Sequence, residues 1–103
     1  MKTVEAYFGS WSFPPLMSPE PPTAQVRIKY TDGSWEEIFS MVLDPRESIS
    51  VRSERAVARA ILEHFFSGPV TDGQVDRLVR WSGHSLCRLT PMDLKPFVQG
   101  SLF

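Results

Sequence analysis

The chain is short of cysteine, of net charge and of long apolar runs, and each shortage removes a class of protein. A single cysteine, Cys87, leaves no internal disulfide and no cysteine-rich zinc site. Eleven basic side chains against 12 acidic ones give a net charge of −1, far from the strongly basic balance of a bulk nucleic-acid binder. No run approaches the roughly 18 apolar residues of a membrane span. The opening residues, MKTVEAYFG, lack the apolar stretch of a signal peptide, so the cytoplasm is the expected location and no membrane partner is expected. Glycine is sparse as well. The six glycines are scattered, each at a turn or cap position, and no phosphate cradle, Walker, dinucleotide, EF-hand or kinase signature occurs. No cofactor or metal is called for.

What the sequence does contain is a core. An apolar share of 42 % with seven Phe and three Trp suits an ordinary globular fold. At 103 residues the expectation is a single α+β domain spanning 1–103, able to bury roughly 60 to 65 % of its unfolded surface without staples. The charge is unevenly placed: residues 1–45 hold three basic and six acidic side chains (−3), and residues 46–103 hold eight basic and six acidic (+2).

The most legible stretch is Ala24 to Met41. Ala24, Val26, Ile28 and Tyr30 alternate with polar residues, Asp32-Gly33 supplies the φ > 0 pair of a two-residue type I′ turn, and Trp35, Phe39 and Met41 resume the alternation. Facing residues would then sum to 65, pairing Tyr30 with Trp35, Ile28 with Glu37 and Val26 with Phe39, with Lys29 opposite Glu36 on the second face. Two residues resist this register. Glu37 falls among the apolar set, which suggests a carboxylate at a sheet margin or paired with Arg, and Ile38 falls on the polar face, which suggests that this face is partly covered.

Upstream, Thr3 to Phe8 reads as a first strand, with Val4, Ala6 and Phe8 on one face. Residues 9–23 hold five of the nine prolines and form an irregular or polyproline-like connection. Its Trp11, Phe13, Leu16 and Met17 either cover a sheet face or meet a partner. Downstream, Leu43-Asp44-Pro45-Arg46 ends the second hairpin strand. Ser53 can cap a helix running to Ser67, with Val57, Ala60, Ile61, His64 and Phe65 on one face. Thr71-Asp72-Gly73-Gln74 is a capping box stapled by Val70 and Val75, opening a helix that stops at Gly83. Thr90-Pro91-Met92-Asp93 repeats the pattern, although Pro96 makes this third helix short, bent or restarted. Phe97, Val98, Leu102 and Phe103 are apolar enough to dock on the core. The expected fold is a three-stranded antiparallel sheet, one strand plus a β-hairpin, packed by two to three helices in the order βββααα.

Chemistry-bearing constellations are thin. His84 and Cys87 have an H-x-x-C spacing but fall short of a zinc ligand set, and a lone cysteine usually serves as a small buried hydrophobe. Ser82 and Ser85 beside His84 lack a nucleophile elbow. His64 fits the interior or a helix C-terminus, where its positive form would suit the dipole. Arg52, Arg55 and Arg59 follow one polar helix stripe, with Arg77 and Arg80 on the next helix, and can grip phosphate or an acidic partner or be balanced by local acids. A helix-turn-helix fits poorly, because His84 to Leu89 separates the last two helices and Pro96 interrupts the second.

The function these features favour is a non-catalytic protein-protein interaction module, of the small inhibitor or adaptor kind found in bacteria and phages, including antagonists of host defence systems. It would use the loop (Trp11, Phe13, Leu16, Met17), the acidic hairpin edge (Asp32, Glu36), Ile38, or the stripe of Arg52, Arg55 and Arg59. The runner-up is a nucleic-acid-binding regulator using that Arg stripe. A small enzyme would need His64 or His84 beside a carboxylate such as Glu37. A homodimer could form through an open sheet edge or the Ile38 face.

Overall fold

Three strands and three helices follow one another in the computed structural model: β1 (Val4–Ser12), β2 (Thr23–Tyr30), β3 (Trp35–Val42), α1 (Val51–Phe66), α2 (Asp72–Trp81) and α3 (Pro91–Gln99). The structure describes residues 2–15, 17–44, 50–83 and 85–99, apart from the side chains of Val98 and Gln99. The expectations placed on Leu16, Pro45, Arg46, His84, Val98, Leu102 and Phe103 lie outside the described residues. The sheet is antiparallel with strand order β1-β2-β3, so the fold is α+β in the order βββααα, as the binary pattern predicts. Among the described residues no helix is long and apolar enough to cross a membrane.

The hairpin departs from the predicted register in an instructive way. Far from the turn the pairs are as expected: Ala24 with Met41, Gln25 with Ser40, Val26 with Phe39. A bulge then shifts the partners, and Arg27 faces Glu37, Ile28 faces Glu36, and Lys29 faces Trp35. The turn explains the shift. Gly33 N–H donates to the Tyr30 carbonyl at 2.9 Å and Tyr30 N–H to the Ser34 carbonyl at 2.9 Å, which closes a three-residue loop rather than a two-residue one. Gly33 takes φ +90° whereas Asp32 does not enter the left-handed region. Instead, Asp32 accepts the Ser34 N–H at 2.8 Å and the Ser34 hydroxyl at 2.6 Å. The extra turn residue is compensated by the bulge at Ile38, a residue that no longer sits on the polar face but packs with Phe39 against the core. Glu37 moves to the solvent face opposite Arg27. The predicted Lys29–Glu36 pair is replaced by Lys29–Glu5 at 3.4 Å, and Glu36 accepts the Tyr30 hydroxyl at 2.5 Å.

β1 is longer than predicted and of the opposite phase. A bulge between Val4 and Ala6 lets Val4 and then Tyr7, Gly9 and Trp11 face the helices, while Phe8 points outward and meets Trp35 with ring centroids 5.2 Å apart. Gly9 is therefore a strand residue at a close approach: an added Cβ would lie 2.6 Å from the Leu86 carbonyl oxygen and 3.0 Å from Val57 Cγ1. The outer edge of β1 is closed by the segment before α3, where Tyr7 and Leu89 exchange both backbone hydrogen bonds at 2.8 Å and Gly9 N–H donates to the Leu86 carbonyl at 2.8 Å.

The helices bury one sheet face through Val57, Ile61 and Leu62 of α1, Val75 and Leu78 of α2, and Leu94 of α3. Ser50, not Ser53, caps α1; Ser53 is its reciprocal capping-box partner, which extends the helix back to Val51 and places Arg52 inside it. Its C-terminus closes with the left-handed residue at Ser67 (φ 60°) rather than at Gly68, and Gly68 N–H reaches back to the Glu63 carbonyl at 3.2 Å. α2 has the predicted Thr71/Gln74 box. Thr90 and Asp93 cap α3 in the same manner, and the nine-residue helix accommodates Pro96 on an exposed position.

Candidate functional groove

α2 and α3 are joined by a connection that runs back to β1, and a groove lies between them. Their buried stripes, Val75, Leu78 and Val79 on α2 with Leu94 and Phe97 on α3, hold them to the core. Gln74 fixes their spacing, because its buried amide donates to the Phe97 carbonyl at 3.0 Å. The groove, of about 310 Å³, shares Phe97 with that tie and is lined by Arg77, Trp81, Met92, Asp93, Pro96 and Phe97. Arg77 and Trp81 stand four residues apart on one stripe of α2. Phe97 is 6 % exposed and meets Trp81 edge-on at 5.4 Å, so the indole has one packed edge and is still 56 % exposed; Met92 across the groove is 73 % exposed. Asp93 takes part in the α3 cap, accepting the Thr90 N–H and hydroxyl at 2.9 Å each. Concavity, a rigid frame and unburied large apolar side chains coincide here.

The residues singled out from sequence scatter over other surfaces. Trp11 is turned into the fold, where its indole N–H donates to Ser53 Oγ at 3.2 Å. Phe13 and Met17 are 51 % and 95 % exposed beyond the end of β1. Val42 and Val51 are exposed too, and the Ser12–Thr23–Val42 alignment sets Val42 at that same end of the sheet. Phe13, Met17 and Val42 line neither of two surface hollows, the α2–α3 groove and a smaller one of about 170 Å³ that includes Val51. Asp32 and Glu36 lie at the hairpin tip, both engaged locally, and Asp32 is held below the usual carboxylate range chiefly by the Ser34 hydroxyl and N–H. The Arg stripe is divided. Arg59 is ion-paired to Asp72 and donates to the Val70 carbonyl at 3.1 Å, while Arg55 lies 3.6 Å from Asp72 and 3.4 Å from Asp76. These two guanidiniums fasten α1 to the first turns of α2, next to its positive dipole end where the acids are also favoured. Arg52 stays exposed in the first turn of α1.

The cysteine differs from expectation, whereas His64 takes the helix C-terminal alternative. Cys87 is exposed rather than buried. His64, in the last turn of α1, is exposed and its Nδ1 lies 2.9 Å from the Tyr7 hydroxyl, whose own acidity is suppressed to a pKa of about 12, first by burial and then by the Tyr30 charge. Glu37, on the solvent face of the sheet, is not its partner.

Trp81 and Met92 do not stand out in the sequence, because each reads as the apolar end or start of a helix. The signal present was angular: Trp81 falls on the Arg77 stripe, away from Val75, Leu78 and Val79, so an exposed indole is legible from helical spacing alone. No protein family, curated protein or solved structure matches this chain.

Proposed function

We propose that this chain is a non-catalytic protein-binding module of the inhibitor or adaptor kind, and that its recognition surface is the α2–α3 groove. The observation that supports it is the pair Trp81 and Met92, 56 % and 73 % exposed over a floor of buried Phe97. A Trp beside Arg on a preformed concavity is the composition of an interface hot spot. Covering the exposed parts of these two side chains is worth about 1 to 2 kcal/mol each, and the Gln74 tie means that little ordering opposes binding. The Arg-stripe route to nucleic acid has less support, since Arg55 and Arg59 are engaged by Asp72 and Asp76.

The test is affinity capture on the full chain in three forms: wild type, Trp81→Ser, and Phe13→Ser/Met17→Ser. Proteins retained by the wild type and the loop variant but lost by Trp81→Ser are expected, with the fold of each variant checked by circular dichroism. An identical set on all three forms, or loss only on the loop variant, would remove the groove from this role. Co-purification of nucleic acid with a steep salt dependence would replace protein binding by the runner-up.

A further inference from the structure

We infer that the groove selects an acidic segment, one large apolar side chain flanked by carboxylates, and not a neutral or basic one. The inference rests on the groove being the recognition surface and adds the chemistry of what enters it. All three carboxylates between residues 67 and 99 are committed within the fold: Asp72 and Asp76 to Arg55 and Arg59, and Asp93 to the Thr90 cap. The cations nearest the groove are not. Arg77 lines it and Lys95 follows Met92 by three residues on α3, whereas Arg80 lines a separate hollow with Val51, Arg55, Asp76 and Val79. Arg77, Arg80 and Lys95 are exposed, and among the described residues no carboxylate pairs with any of them. Arg77 and Lys95 set against the cap carboxylate of Asp93 leave a balance of one positive charge around this concavity, although the chain as a whole carries −1.

Size restricts the occupant further. A groove of about 310 Å³ is at the small end of ligand sites, enough for one large side chain and not for a row of bases. An anchor stacked between Trp81 and Met92 brings the flanking peptide residues within reach of the Arg77 guanidinium on one helix and the Lys95 ammonium on the other. Arg can accept a carboxylate there in bidentate fashion, and Lys as a point charge. Charge complementarity of this kind steers encounter and excludes basic competitors.

The experiment is selection of a random displayed peptide library on the immobilised full chain, followed by fluorescence anisotropy with the enriched peptides at two salt concentrations. Peptides with an aromatic or large aliphatic residue and at least two neighbouring Asp or Glu are expected. Their affinity should fall about tenfold or more on Arg77→Glu, be lost on Trp81→Ser, weaken with salt, and change less than twofold on Arg52→Glu, an exposed position on another helix. Arg77→Gln gives an intermediate loss and guards against misfolding of the charge reversal. No enrichment, enrichment of neutral or basic peptides, or indifference to Arg77→Glu would overturn the inference. Peptides of neutral character that still depend on Trp81 would do so while leaving the protein-binding role of the groove standing. Displacement of an acidic peptide by a single-stranded oligonucleotide at equal concentration, or by a second copy of this chain as seen in sedimentation, would assign the positive groove to that ligand instead and overturn it too.

Discussion

Replacing Gly9 by Ala adds one carbon at the tightest backbone approach among the described glycines, and its cost can be worked from two neighbours. The new Cβ would sit 2.6 Å from the Leu86 carbonyl oxygen and 3.0 Å from Val57 Cγ1. Neither can yield alone. The Leu86 oxygen is accepting Gly9's own N–H at 2.8 Å and its side chain is fully buried, while Val57 is fully buried on α1. Relief therefore requires β1 and the 86–89 segment to part, which weakens a hydrogen bond of about 1 kcal/mol and adds overpacking of about 2 kcal/mol. A loss of about 3 kcal/mol, or roughly 10 to 20 °C in Tm for a domain of this size, is expected. The control is Gly33→Ala, where φ is +90° but nothing lies within 4 Å, so only backbone strain of about 1 kcal/mol applies. Urea unfolding of both variants, followed by circular dichroism, separates close approach from conformational strain. If Gly9→Ala lost less than Gly33→Ala, or less than about 0.5 kcal/mol, the packing of the 86–89 segment on β1 described above would be wrong.

Further expectations concern the buried phenol, the helix ends and the helix tie. Because burial raises the Tyr7 pKa from 10.0 to about 12, the unfolded chain releases this proton first as pH rises; the stabilisation is complete below pH 10 and lost towards pH 12. Wild type should lose up to about 2 to 3 kcal/mol relative to Tyr7→Phe across that window, and parallel pH profiles in urea melts would contradict it. Ser67→Gly removes a side chain from a left-handed position (φ 60°) and should stabilise by about 0.5 to 1 kcal/mol in thermal melts. Gln74→Ala loses the buried bond to the Phe97 carbonyl and should cost about 1 to 3 kcal/mol, with faster amide exchange in α3 than in α1.

How much of this was legible in the chain depended on whether the determinant was local. Thr71 with Gln74 and Thr90 with Asp93 were readable as caps because the partners are three residues apart and the geometry admits one arrangement. The β-hairpin was readable as a hairpin, yet Asp-Gly admits both a two-residue and a three-residue loop, and the choice moves every pair near the turn by one. Glu37 and Ile38 were the visible symptoms. Both anomalies vanish once the bulge is placed at Ile38, between Glu37 and Phe39. Gly9 and Trp11 read as loop residues because proline begins soon after them; they extend β1 by pairing with Val26 and Ala24 of β2, and are held there by Leu86 and Ser53, far away in sequence. The Arg stripe is legible together with Asp76 as one of its counter-charges, and Asp76 does reach Arg55; Asp72, which meets both Arg55 and Arg59, is not, because it reads only as part of the α2 cap. The groove exists through the pairing of two helices with a backbone bridge to β1 between them, and no segment of sequence contains it.

The three tryptophans lie in three different settings: Trp11 against the core, Trp35 on the outer sheet face, and Trp81 at the groove. Fluorotryptophan labelling of the full chain therefore provides three fluorine resonances, assigned by single Trp→Phe variants, and each reports one surface. On addition of a protein captured by the wild type, displacement or broadening of the Trp81 resonance with Trp11 and Trp35 unmoved is the expected result. A Trp81 line that stays in place while the complex forms, or a shift confined to Trp35, would contradict recognition through the α2–α3 groove.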